Sequence, residues 1–180
     1  MEKNVAYIAL FAALIAVRGL VPQITLAIGV PITAQSLGVM LCGTVLGARR
    51  GAWAALLFVG LVALGLPLLS GGRGGLGVFS GPTVGFFAGF PVAAFVTGWI
   101  MEKTRGNIAV GAGFAAIIGG VVVLYLIGIS GMALILGKSW WAAAGLMGLY
   151  IPGDILKAGL AAFITQGLAK LRPEAILSRS

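Results

Sequence analysis

The sequence predicts an all-α membrane protein: one integral membrane domain over residues 1–180, with six transmembrane helices and both the N- and C-termini cytoplasmic. Three observations predict it. Of 180 residues, 60% are hydrophobic against twelve basic and four acidic side chains, too little charge to cover a soluble domain of this size. The apolar residues fall into six charge-poor stretches. With the N-terminus inside, Lys3, Arg49, Arg50, Lys103, Arg105, Lys170, Arg172 and Arg179 lie on the cytoplasmic side and only Arg18, Arg73 and Lys138 outside, as the positive-inside rule requires.

The first stretch, Val5–Val17, follows Met-Glu-Lys-Asn, and no small-residue cleavage site leads from it into a polar domain, so it is expected to stay as a span. Its Ala6, Ala9, Ala13 and Ala16 are spaced i, i+3, i+7, i+10, one stripe at about 100° per residue. Such a smooth stripe serves packing within the chain or docking of a partner membrane helix. Pro22, Gly29 and Pro31 break the segment before the second stretch, Ile32–Ala48, and leave Thr33, Gln35 and Ser36 near its outer end. Irregular backbone at membrane depth survives where it lines a cavity, which makes this first outer loop a candidate wall.

The third and fourth stretches, Ala52–Leu69 and Pro82–Met101, flank a glycine-rich loop from Ser70 to Gly77, where missing side chains let backbone approach a ligand. Gly43, Gly47 and Gly51, and again Gly81, Gly85 and Gly89, repeat at intervals of four, a spacing for close helix packing. The fifth stretch, Ile108–Leu136, exceeds the roughly 20 residues a crossing needs, so its end is expected to leave the helix and fold over the outer face, with Trp140 and Trp141 as interfacial anchors. The sixth, Leu146–Ala169, carries Asp154 and Lys157.

Much chemistry is excluded. There is no histidine and there are only four acids, so imidazole catalysis and carboxylate metal clusters are not expected, and no cofactor is. Cys42 stands alone and is expected to pack as a small apolar residue. The basic residues sit between apolar stretches rather than on one face, which argues against nucleic acid. Gly72-Arg73-Gly74-Gly75-Leu76-Gly77 satisfies the spacing of a dinucleotide loop, and Gly131–Ser139 ends like a P-loop. The first lacks its preceding strand and downstream acid, and the second has five residues instead of four between its glycines and no partner acid.

What polar chemistry remains gathers on the outer side. Pro152 suits a helix start, placing Asp154 in the first turn, where the helix terminus favours an anion. Lys157 at i+3 shares its face, and an ionisable pair inside a span marks a substrate route or fixes packing. With Gln35 and Arg73 at the same level, these groups suit a small amphipathic anion: the acid accepts N–H groups, the amide serves either kind of partner, the cations take a carboxylate, and Tyr150 adds apolar bulk.

The blocks Val30-Pro31-Ile32-Thr33-Ala34-Gln35-Ser36-Leu37, Leu46-Gly47-Ala48-Arg49-Arg50-Gly51, Gly65-Leu66-Pro67, Gly71-Gly72-Arg73-Gly74-Gly75-Leu76-Gly77 through Gly81-Pro82-Thr83, and Ile151-Pro152-Gly153-Asp154-Ile155-Leu156-Lys157 together resemble the BioY family, the biotin-binding S components of energy-coupling-factor (ECF) transporters. The resemblance implies an external biotin pocket roofed by the first, third and fifth loops. It also implies that the first-span alanines Ala6, Ala9, Ala13 and Ala16 dock to a membrane coupling subunit carrying two cytoplasmic ATPases, in a bacterial or archaeal cell membrane. It assigns Asp154 to the ureido N–H groups, Lys157 to ureido or carboxylate, and Gln35 and Arg73 to further polar contacts. Two other readings stand beside it. A self-sufficient ion-coupled vitamin carrier would have one embedded acid to move a proton, and an intramembrane enzyme would have only Asp154 and Lys157 as a catalytic pair.

Overall fold

The computed structural model describes residues 2–18, 24–25, 31–32 and 34–179. Among them the helices form six rods, matching the six apolar stretches in order. The rods are α1 (Glu2–Arg18), α2 (Gln35–Leu46), α3 (Ala48–Ala63), α4 (Val84–Lys103), a fifth from Ile108 to Leu136 and a sixth from Trp140 to Leu171. The fourth, fifth and sixth are long and apolar enough to cross a membrane, and α2 is a shorter apolar helix. Two-residue strands, β1 (Ile24–Thr25) and β2 (Pro31–Ile32), pair antiparallel between α1 and α2. Thr33 and most of the first loop, expected to wall a site, lie outside the described residues.

Every residue of α2 is buried, because α1, α3, α4 and the fifth and sixth rods surround it; a helix apolar on all sides belongs at the centre of a bundle. The glycine spacings explain how tightly its neighbours come. A Cβ on Gly43 would meet Thr97 of α4, one on Gly98 would meet the Gly47–Ala48 backbone, and one on Gly85 would meet the backbone at Ile127 and Gly128. The repeats at Gly43 and Gly85 are therefore internal packing surfaces, whereas Gly81 has only its own turn nearby. Gly47 turns the chain from α2 directly into α3 with φ 85°, a conformation open to glycine.

The fifth rod corrects one expectation. Its end does not leave the helix: α5 (Ile108–Ile117), a π-helical turn (Ile118–Val123) and α6 (Leu124–Leu136) run on to a left-handed cap at Gly137. Gly131 to Leu136 is thus helix, so the P-loop-like string forms no phosphate-cradling loop. Asn107 starts the rod by accepting the N–H groups of Ala109 and Val110 at 2.9 and 3.3 Å. In the sixth rod, α7 (Trp140–Met147) and a 3-10 turn precede α8 (Ile151–Leu171). Pro152 and Asp154 lie in the first turn of α8, as expected. The basic C-terminal segment is folded rather than extended: Ile176 and Ser178 are buried, and the Ser178 hydroxyl donates to the Thr44 carbonyl.

On α1 the stripe faces outward. Ala6, Ala9 and Ala13 are exposed and Ala16 half-buried, while Phe11, Ala12 and Ile15 bury the opposite face. Packing inside this chain uses mainly that other face, with Ala16 the stripe's one member packed against the core.

Candidate functional site

The first turn of α8, the first turn of α2 and the middle of the fifth rod meet at three side chains. Asp154, 8% exposed, accepts on Oδ1 from the Ser36 hydroxyl at 3.0 Å and from Lys157 Nζ at 2.8 Å. Its Oδ2 accepts the Tyr125 hydroxyl at 2.6 Å. Lys157 Nζ also donates to Ser36 Oγ at 3.1 Å, closing a small ring of bonds. Three donors and the positive end of α8 replace the water this carboxylate has lost on burial.

This network forms one wall of a pocket whose other walls are Phe86, Phe87 and Phe90 of α4, Leu124, Met147 and the glycine-rich loop. All five ligand-site residues expected from the sequence, Gln35, Arg73, Tyr150, Asp154 and Lys157, line it. Gln35 is buried and its Nε2 donates to the Leu68 carbonyl at 3.0 Å, pinning the chain after α3 over the start of α2. Arg73 is exposed at the rim, its Nε donating to the Ser70 carbonyl at 3.2 Å. Positive φ at Gly71, Gly72 and Gly75 folds this loop inward, and Leu69 pairs with Arg73 across its base. Trp140 and Trp141 stack edge-on at 5.0 Å at the start of α7. Neither lines the pocket, and Trp141 is 80% exposed, as an interfacial anchor would be.

Three site residues lay beyond the sequence reading's ligand set. Ser36 is next to Gln35 yet became visible as a site residue only through its two bonds. Ser70 is buried in the pocket wall with a hydroxyl that has no partner among the described residues, an unusual condition for a buried polar atom. Tyr125 had one available signal: its hydroxyl lies in an otherwise aliphatic membrane-depth stretch and requires a partner there. Together the groups present one buried anion, an amide, hydroxyls and two cations to a cavity with aromatic walls. That is a set for holding a small molecule with N–H donors at one end and a negative charge at the other.

Comparison with known proteins agrees in kind. The BioY family model matches residues 2–174. The chain belongs to the BioY family. The biotin transporter BioY of Rhodobacter capsulatus is 50% identical over 99% of this chain and 100% of its own length, and the probable biotin transporter BioY of Bacillus subtilis is 40% identical over 92% of each. The crystal structure of the S-component for biotin from an ECF-type ABC transporter superposes with a TM-score of 0.88 at 30% identity, covering 94% of this chain and 92% of that one.

Proposed function

We propose that this chain captures biotin in the pocket at Asp154 and serves as the S component of an ECF-type transporter energised by separate ATPase subunits. The observation that carries the proposal is the Asp154 network: a buried carboxylate held by Ser36, Tyr125 and Lys157 on the wall of an aromatic pocket. A carboxylate oxygen has two lone pairs, so Oδ2, which accepts only Tyr125 among the bonds described, retains capacity for a ureido N–H. The unpartnered Ser70 hydroxyl and the Gln35 amide supply further polar contacts, and Lys157 reaches either ureido or carboxylate. Arg73 at the exposed rim takes the carboxylate of the valerate chain.

In this reading all six rods span the bacterial or archaeal cell membrane, with the pocket outside and both termini in the cytoplasm. The outward alanine stripe of α1 docks to the coupling subunit that carries the two ATPases. Radiolabelled biotin added to the purified chain is expected to be retained at about one per chain, to be displaced by unlabelled biotin, and to resist displacement by other vitamins. Retention no better than that of an unrelated membrane protein would refute the proposal.

A further inference from the structure

The end of the bundle away from the pocket carries a second cleft. Gln35 and Leu46 end the 12-residue α2, about 16 Å apart at 1.5 Å rise per residue, and whereas Gln35 lines the pocket, Leu46 lines this cleft. Its walls are the start of α3, with Arg49 and Arg50, and the last two turns of α4, with Phe95, Trp99, Glu102 and Lys103. The one acid is already engaged, since Glu102 Oε1 accepts the Ala48 N–H at 2.8 Å and caps α3. Among the described residues no carboxylate lies within ion-pair distance of Arg49, Arg50 or Lys103. Three cations therefore face one occupied carboxylate.

The positive-inside rule places cations at this end of the bundle, but it does not account for three of them lining one cleft beside aromatic side chains. Arg49 and Arg50 stand in the first turn of α3, where the helix dipole disfavours positive charge. Below them the half-exposed rings of Phe95 and Trp99 lie one turn apart along α4, and Trp53 is exposed one turn further along α3. The 20 residues of α4 span about 30 Å, the thickness of a hydrocarbon core, so Lys103 ends at headgroup depth while Phe95 reaches into the acyl region. Cations above and an aromatic track below match the two halves of a phospholipid.

We propose that this cleft is a binding site for an anionic glycerophospholipid. Its phosphate sits between Arg49, Arg50 and Lys103, where the guanidinium forks of the two arginines and the lysine ammonium suit phosphate oxygens, and one acyl chain lies along Trp99 and Phe95. Native mass spectrometry of the full chain, released from micelles doped equally with phosphatidylglycerol and phosphatidylcholine, tests it. The chain is expected to retain phosphatidylglycerol over phosphatidylcholine by about tenfold or more, with the preference declining as sodium chloride is raised. The double variant Arg49→Gln, Arg50→Gln, with the wild-type melting temperature, is expected to retain the two lipids equally. Equal retention by the wild-type chain, or an undiminished preference in the double variant, overturns the proposal. If the double variant does not fold, the salt series on the wild-type chain decides: a preference indifferent to salt overturns the headgroup contact. Complete displacement of the lipid by soluble glycerol phosphate would give the cleft to free phosphate esters. Capture of an acidic peptide without any lipid preference would give it to a partner protein, and either result overturns the lipid assignment.

Discussion

Asp154 concentrates the chemistry of the pocket in one side chain. Its two oxygens take three donors, so replacing the carboxylate disturbs ligand and network together. In Asp154→Asn the amide faces the Ser36, Tyr125 and Lys157 donors with one acceptor oxygen, and Lys157 loses its counter-charge; biotin affinity is expected to fall by about 1.5–3 kcal/mol, the scale of a hydrogen bond to a charged group, in calorimetric titration. Tyr125→Phe removes one donor and leaves the charge, so its loss is expected near 1 kcal/mol, smaller than that of Asp154→Asn in the same titration. An equal or larger loss for Tyr125→Phe would contradict the ordering. The two ionisable residues could be picked out from sequence because charge inside an apolar stretch is conspicuous, and Gln35, Arg73 and Tyr150 because they fall beside breaks in such stretches. Ser36 and Ser70 could not, because a single hydroxyl beside an apolar run is common and only its surroundings, for Ser36 a partner 118 residues away, make it informative; Tyr125 signals the need for a partner but not that the partner is Asp154, 29 residues on.

The fifth rod shows what hydropathy reveals of an element and what it hides. Its length and apolar content were plain, but the π-turn at Ile118–Val123 was not, since its residues are as aliphatic as their neighbours. A π-turn accommodates about one extra residue, so deleting one residue within it closes it to plain α-helix and keeps the residues beyond in register. Deleting Val122 is therefore expected to leave Tyr125 on Asp154 and to spare biotin binding, with helical content by circular dichroism unchanged; a loss as large as that of Tyr125→Phe would show that the turn itself sets the site. The glycine spacings, by contrast, were legible because close helix approach demands them. Adding a methyl group at Gly43 forces it against Thr97 and the Ala94 carbonyl, and Gly43→Ala is expected to cost about 1–3 kcal/mol, read as a lowered melting temperature. For α1, a bulky residue at exposed Ala13 is expected to spare biotin binding and to block co-purification with a coupling subunit.

For the molecule as a whole, sixteen charges among 180 residues first exclude a soluble fold, and their positions then divide the bundle into two ends. One end holds Asp154, Lys157 and Arg73 around the pocket, and the other holds Arg49, Arg50 and Lys103. Which elements approach one another came from the three-dimensional packing: the central burial of α2 and the return of the C-terminal segment onto Thr44 depend on contacts between distant stretches, which hydropathy does not encode. On the proposed division of labour, the isolated chain in liposomes is expected to bind biotin without accumulating it, and accumulation is expected to appear on adding the coupling subunit and ATPases with ATP. The capture of biotin itself is tested most directly by calorimetric titration of ligand-free chain with biotin. The account predicts saturable binding at one biotin per chain, weakened in Asp154→Asn; no binding heat from a folded chain, or identical isotherms for the two proteins, would contradict it.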